Sequence, residues 1–226
     1  AYMDRQNPDL SWGRDFYQPK WICTHYTLCD LRSLGAPADD SRIRQSIADV
    51  AVSDCAPDGS ISPYSDNRLG EGCVNGMYLA YAAFFRSDQE VLMPVVDFVL
   101  AEVMPDGAFN CRSNRGHATH SSVHTTINVL EGIQEYLGAG YEYCKDELAA
   151  VQSNADEFLL RHQLYRSHTT GAVIRDQFLR HHHPARWHYD TLRALTYFTE
   201  SSASHDVRMD DALSVLESKQ TPAGRW

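Results

Sequence analysis

Two Pro-Asp-Gly turns divide the sequence into segments of similar length. Their aspartates, Asp58 and Asp106, lie 48 residues apart, and a third turn, Pro222-Ala223-Gly224, follows roughly two periods later. Between the turns, apolar residues recur at three- and four-residue steps, the spacing of helices that bury one side. A repeat of this length predicts stacked helical hairpins, which bury their apolar faces only against their neighbours. The sequence therefore predicts an all-α fold, in which the hairpins curve into a solenoid or close into a ring.

About four hairpins are expected after an N-terminal segment. Residues 1–20 contain several Gly and Pro punctuations and predict an extended arm across a surface. Residues 21–226 are predicted to form a single domain, and no segment shows the alternation typical of strands. The predicted helix pairs are 21–35 with 39–55, 72–85 with 88–104, 120–137 with 145–165, and 187–200 with 209–219.

Composition excludes several classes of function. The formal charge of −10, without a basic run, argues against binding to nucleic acid, which needs clustered Lys and Arg. No stretch of about 18 apolar residues occurs, so no membrane span is expected. The six cysteines form no CxxC pair and no dense framework, which favours reduced thiols and a cytoplasmic location.

The end of the chain carries a recognisable pattern. An apolar helix, Leu213 to Leu216, is followed by Gln220, Gly224 and Trp226. This resembles the QW motif of squalene–hopene cyclases, and the two internal turns look like degenerate copies of it. Together with the hairpin period, the motif resembles the α/α-toroid superfamily of terpenoid cyclases and protein prenyltransferase β-subunits. It looks most like bacterial prenyltransferase/squalene-cyclase-like proteins of unassigned reaction. The resemblance implies a toroid whose central funnel holds a small organic or isoprenoid-like, lipid-like ligand.

A second resemblance concerns a metal. Prenyltransferase β-subunits hold a catalytic zinc with an Asp-Gly-Cys at the start of one inner helix and a His at the start of a later one. Here Glu71-Gly72-Cys73 and the pair His120 and His124 stand in similar places. Glu replaces Asp, the spacing to the His is shorter, and Cys111 has no counterpart in the family pattern.

The residues themselves are compatible with zinc, which favours thiolate and imidazole donors in sets of three or four. If the inner helices converge, the set is Cys73, Cys111, His120 and His124, with the two histidines one helical turn apart. The alternative is a helix-capping His120, a core His124 and two buried thiols.

The long connection between the third and fourth hairpins is rich in Arg, His and aromatic residues, and a loop of this length is often functional. Arg and His side chains suit an anionic or carbonyl-bearing ligand. The residues predicted to contact a substrate are Arg166, His168, Arg175, Arg186 and Trp187. His182 and Tyr189 are predicted to transfer protons, and Asp190 to orient a histidine. The alternative is a solvated loop paired with the acidic surface.

Other patterns limit the chemistry. The acidic pairs Asp39-Asp40 and Asp210-Asp211 stand where helices begin, which indicates capping and not the acid of a terpene cyclase. Nucleotide-binding and serine-hydrolase motifs are absent. The sequence therefore predicts a zinc-dependent enzyme, leaning towards a hydrolase or transferase. The alternative is a non-catalytic binding module, and a homo-oligomer is one way to close a ring of four hairpins.

Overall fold

A computed structural model of the chain describes residues 1–201 and 204–224, and regular structure in these ranges is helical. It contains no β-strand there beyond two isolated bridges. The all-α prediction is thus confirmed. The α-helices are α1 (Thr24–Ser33), α2 (Ser41–Ser53), α3 (Gly72–Phe84), α4 (Gln89–Ala101), α5 (Val123–Gly138), α6 (Lys145–Arg161), α7 (Thr191–Glu200) and α8 (Asp210–Glu217). None of these described helices has the length and apolarity needed to cross a bilayer.

Three helices begin three or four residues later than the sequence pattern predicts. The predicted starts were residues 21, 120 and 187, whereas α1, α5 and α7 begin at Thr24, Val123 and Thr191. Trp21 has a left-handed backbone, with φ of 78°, which cannot continue into a helix. The residues before α5 and α7, Ser122 and Asp190, are extended. Periodicity identifies the helix but does not show where the preceding loop ends.

The repeated turns share one backbone structure. Gly59, Gly107 and Gly224 all have positive φ, and the N–H of each donates to the carbonyl three residues earlier, at 2.8 to 2.9 Å. Only glycine adopts this conformation without strain. The repeat seen in the sequence is therefore also a repeat of structure. In the third turn, Gln220 Nε2 lies 3.3 Å from the Gly224 carbonyl, and Trp226 of the QW motif lies outside the described residues.

Helices α3 and α5 pack against each other at the centre of the fold. A Cβ placed on Gly132 would lie 2.4 Å from the Gly76 carbonyl oxygen, and one placed on Gly76 would lie 2.5 Å from that of Asn128. Glycine at both positions lets the two backbones touch. Because most side chains of α3 and α5 are buried, these helices form the middle of the core.

The other helices surround this pair. Each later hairpin packs as predicted, α3 with α4, α5 with α6 and α7 with α8, while α1 lies on α3. The hydroxyl of Tyr78 on α3 donates to the Ile47 carbonyl of α2 at 3.0 Å, which ties the first hairpin to the second. Helix α2 begins at the predicted cap, where the Asp40 carboxylate accepts from the N–H groups of Arg42 and Ile43.

The N-terminal arm is part of the core. Trp12 is only 3% exposed and Phe16 is also buried. The Trp12 backbone N–H donates to Thr24 Oγ1 at 2.9 Å, and its indole N–H donates to the Tyr2 carbonyl at 3.0 Å. The arm therefore does more than cross a surface, because it covers the start of α1 with buried aromatic rings.

Candidate functional site

A cavity of about 570 Å³ lies between the four odd-numbered helices. Asp30 of α1, Tyr81 of α3, Glu135 of α5 and Arg193 of α7 all line it, and the segment 182–186 completes the wall. Four helices that are distant in sequence thus meet around one space. Its volume is within the range of about 300 to 1,000 Å³ typical of sites for small organic molecules.

Arg193 connects one side of this cavity to the loop before α7. Its Nε and Nη2 donate to the two carboxylate oxygens of Glu131 at 2.6 and 2.8 Å, and Nη2 also donates to Asn128 Oδ1 at 2.9 Å. Its Nη1 donates to the carbonyls of Arg186 at 2.9 Å and His188 at 2.7 Å. All five N–H groups of the guanidinium are thereby satisfied. Arg193 holds the site together and has no donor left for a ligand.

Burial and charge act in opposite directions on Glu131. Burial by itself would raise its pKa, but the charge and hydrogen bonds of Arg193, with the charge of Arg32, outweigh burial and hold the pKa below its usual value. The carboxylate therefore stays ionised and paired in the folded protein.

A second ion pair spans the cavity from α1 to α5. Arg32 donates from Nε and Nη2 to Glu135 Oε2, at 3.1 and 2.8 Å. Nearby, the Tyr2 hydroxyl donates to Asp30 Oδ2 at 2.8 Å. The wall holds five carboxylates and three guanidiniums, so it is acidic on balance: Asp30, Glu131, Glu135, Asp190 and Glu200 against Arg32, Arg186 and Arg193.

His182 and Asp190 meet at the wall of the cavity. Asp190 is 1% exposed. Its Oδ2 accepts the His182 backbone N–H at 3.0 Å and lies 3.4 Å from the imidazole Nδ1, while Oδ1 caps α7 by accepting the N–H of Arg193 at 2.9 Å. The His182 side chain is 45% exposed. A buried carboxylate beside a cavity-lining imidazole holds that ring in one orientation.

Tyr189 does not join this pair. Its hydroxyl donates to the Leu164 carbonyl, and its backbone N–H donates to His124 Nδ1 at 2.9 Å. Burial raises the pKa of this phenol far above its ordinary value. The structure thus places Tyr189 in the core with its proton engaged, which argues against the predicted proton transfer to a substrate.

Of the predicted substrate contacts, Arg186 lines the cavity and Trp187 does not. The Arg186 guanidinium lies over the Trp21 ring, 4.2 Å from its centroid, and its buried Nε has no hydrogen-bond partner among the described atoms. Trp187 stacks on His188 with ring centroids 3.9 Å apart. Arg186 is therefore the member of this pair that a ligand in the cavity can reach.

The first half of the Arg/His-rich loop lies elsewhere. Arg166 donates to Asp211 Oδ2 on α8 at 2.5 Å and to the Tyr165 hydroxyl at 2.8 Å. His168 Nδ1 lies 3.3 Å from His162 Nε2, and Arg175 is exposed. An isolated bridge between Arg166 and Val173 folds this half back on itself. None of the three predicted contacts Arg166, His168 and Arg175 lines the cavity, so this half of the loop does not contribute to its wall.

The predicted metal ligands separate into two groups. Cys111 Sγ accepts from the Cys73 backbone N–H at 3.4 Å and from Thr125 Oγ1 at 3.2 Å, so the two cysteines are neighbours. The hydrogen bond from the Cys73 thiol and the one from Thr125 lower the pKa of Cys111. The pKa of Cys73 rises, because its thiol donates to Cys111 and is desolvated.

The histidines do not complete the set. His120 is exposed and precedes α5, so it is not one helical turn before His124 as predicted. Its backbone carbonyl accepts a hydrogen bond from Asn110 Nδ2 at 3.1 Å. The ring of His124 packs against Phe178 and Trp187, and burial lowers its pKa to about 4. His124 is thus a core histidine that accepts a backbone hydrogen bond.

The donors present do not fit zinc. Over residues 1–201 and 204–224, no three Cys, His, Asp or Glu side chains converge in a metal-binding group. A zinc site needs three or four protein donors, and the pair Cys73 and Cys111 supplies two. The two thiols by themselves therefore give no basis for a zinc-dependent step.

Comparison with known proteins does not narrow the function. No protein-family model matches the chain, and no curated protein matches it significantly. The functional conclusion therefore rests on the residues and geometry of the cavity.

Several residues of the cavity were missed by sequence reasoning. Asn128, Glu131 and Glu135 form a polar stripe at three- and four-residue steps along α5, a helix that is otherwise apolar. That stripe is a usable signal, because polar groups on a buried helix need partners. Arg32 and Arg193, by contrast, stand on ordinary amphipathic helices, and nothing in the sequence pairs them with α5.

Proposed function

We propose that the chain is an α/α toroid of four helical hairpins and that its central cavity binds a small organic molecule. We further propose that His182, oriented by Asp190, acts on that molecule as a general acid or base. The single observation that carries this proposal is a cavity-lining histidine whose Nδ1 faces a carboxylate that is 1% exposed.

Three features support the toroid. The odd-numbered helices share one cavity, while the even-numbered helices α2, α4, α6 and α8 supply none of its lining. Ion pairs from α1 and α7 both reach α5. The turns that end hairpins repeat their backbone bonds. An inner layer of odd helices within an outer layer of even helices is the arrangement of an α/α ring.

The wall indicates the class of ligand. Phe84 is a partly exposed aromatic ring in this wall, and carboxylates outnumber guanidiniums. An acidic wall disfavours an anionic ligand and favours a neutral or cationic organic molecule with an apolar part. The expectation of an anionic or carbonyl-bearing ligand rested on Arg166, His168, Arg175 and Arg186, of which Arg186 lines this cavity.

The pair formed by His182 and Asp190 provides the chemistry. Nδ1 of His182 faces Asp190, and Nε2 has no hydrogen-bond partner among the described residues. Nε2 can take a proton from water or a substrate hydroxyl, and the buried carboxylate then stabilises the imidazolium. Hydrolysis by an activated water and proton abstraction are the reactions that need no more than this.

The test is a hydrolase screen of neutral and cationic chromogenic esters and amides. For any substrate that is turned over, His182→Ala is expected to lower kcat/KM by about 10²- to 10⁴-fold, the usual range for a lost general base. Asp190→Asn keeps an oxygen to cap α7 but removes the charge. It is therefore expected to reduce kcat, because the imidazole loses the charged group that orients it.

His205→Ala is the matched control. His205 also contacts an aspartate, Asp210 Oδ1 at 2.8 Å, but lies outside the cavity, so its loss leaves the rate unchanged. Equal turnover by wild type and His182→Ala would contradict the proposal.

One observation favours a second candidate, a binding module without turnover. Cys29, a potential nucleophile in the wall, has its pKa raised by burial, and every Arg193 donor is already used. Leu192→Trp fills the cavity from α7 and is expected to abolish thermal stabilisation by any cavity ligand. Under the binding hypothesis, His182→Ala leaves that stabilisation intact and no ester or amide is hydrolysed by either protein.

A further inference from the structure

Cys73 and Cys111 form a close pair of thiols outside the cavity. They are separated by 38 positions in the sequence, yet the Cys73 backbone N–H lies 3.4 Å from Cys111 Sγ. Since an N–Cα bond is about 1.46 Å, that sulfur is within about 4.9 Å of the Cys73 Cα. The Cys73 thiol also donates to the Cys111 sulfur, so the two sulfurs are already neighbours, and a disulfide needs them to approach to about 2.05 Å.

The two cysteines of this pair differ in how deeply they are buried. Cys111 is 5% exposed, and the Thr125 hydroxyl at 3.2 Å holds its sulfur. Cys73, at the start of α3, is partly exposed. One sulfur is therefore fixed in the core, and its neighbour belongs to a residue that is partly exposed at the start of a helix. All six cysteines are free thiols in the structure.

We infer that Cys73 and Cys111 are a redox-active dithiol, which a hydroperoxide oxidises to an intramolecular disulfide. In the first step one sulfur takes an oxygen from the hydroperoxide and becomes a sulfenic acid, releasing water or an alcohol. The other sulfur then attacks the sulfenic sulfur, forms the S–S bond and releases water. Two thiols are oxidised, one peroxide is reduced, and the bond ties the start of α3 to the loop before α5.

Digestion of oxidised protein provides a direct readout. Trypsin cleaves after Arg68, Arg86 and Arg112, so peptide 69–86 holds Cys73 as its single cysteine and peptide 87–112 holds Cys111. The full chain is treated with a slight excess of hydrogen peroxide, alkylated, digested without reductant and analysed by mass spectrometry. We expect the linked peptide pair as the main product, with two free thiols lost per chain and both recovered by dithiothreitol.

The control uses the exposed Cys55. Cys55→Ser is expected to leave the linked peptide unchanged, whereas Cys111→Ser abolishes it and leaves Cys73 as a sulfenic acid or a free thiol. The wild-type result does not depend on the folding of a variant. Oxidised wild type without this link, or with Cys73 joined to another cysteine, would overturn the inference. Because the pair lies apart from His182, the outcome is independent of the hydrolase screen.

Discussion

His25 is a buried histidine that should make the fold sensitive to acid. Its side chain is 0% exposed, it packs against the rings of Phe16 and Tyr17, and its Nε2 has no partner among the described atoms. Burial lowers its pKa to about 3. The unfolded chain binds this proton near pH 6.5, so the stabilisation is complete above that pH and is lost as the pH falls towards 3.

We therefore expect His25→Phe to weaken the pH dependence of folding. Between pH 7.5 and 4.5 the wild type should lose about 3 kcal/mol of unfolding free energy through this histidine, and the variant should not. Urea unfolding at the two pH values measures the difference. His205→Phe, at an exposed histidine, serves as the control and should behave like the wild type. An equal loss of stability in His25→Phe would show that another group titrates.

Sequence reasoning at the residue scale succeeded where the partner is local. The Asp40 cap was predictable because the N–H groups that donate to its carboxylate lie two and three residues away. His25, Glu131 and Arg193 were not, since their environments come from residues that only the fold brings near. Asp190 was predicted to orient a histidine that the sequence did not single out, and the structure places His182, eight residues earlier in the same loop, beside it.

At the scale of elements, the contact between α3 and α5 depends on glycine. Gly132→Ala places a Cβ 2.4 Å from the Gly76 carbonyl oxygen, and backbone cannot give way as a side chain can. We expect a loss of at least about 3 kcal/mol, since the helices must separate.

The same helix offers a control for this prediction. A Cβ on Gly138, at the end of α5, meets nothing within 4 Å. Gly138→Ala should be neutral or stabilise by up to about 1 kcal/mol, because alanine favours the helix. Chemical denaturation of both variants compares the two effects. Similar stabilities for Gly132→Ala and Gly138→Ala would mean that α3 and α5 do not touch as described.

Helices and turns were the best predicted elements. Apolar periodicity located each helix, and the Pro-Asp-Gly pattern located turns whose glycines do have positive φ. The starts of α5 and α7 were misplaced, because His120 and Trp187 continue the pattern while their backbones belong to loops. The predicted metal ligands were affected too, since His120 was expected at the start of α5 and lies in the loop before it.

At the scale of the whole molecule, the N-terminal arm is expected to be required for stability. Trp12→Ala removes a ring that is 3% exposed and should cost about 3 to 5 kcal/mol. Ile22→Ala, at a side chain 63% exposed on the same side of α1, should change stability by less than about 0.5 kcal/mol. Thermal unfolding of the two variants tests this contrast. If the Trp12→Ala protein is as stable as the wild type, the arm only crosses a surface, as the sequence predicts.

The cavity shows why a site is harder to predict than a fold. Its wall takes residues from four helices and one loop, and their convergence depends on how the hairpins pack. Arg186 and His182 were predicted from the composition of the loop, whereas Arg166 and Arg175 had the same chemistry and point elsewhere. Residue type identifies candidate residues, but the packing of the hairpins decides which of them line the cavity.

The five bonds of Arg193 also bear on how this chain can evolve. If Arg193 changes alone, Glu131 is left as a buried charge without a partner, and if Glu131 changes alone, the guanidinium is stranded. Each single replacement is therefore expected to lower the stability of the fold, although replacing both residues by apolar ones can be nearly neutral. The two positions, 62 residues apart, are therefore expected to change together in evolution.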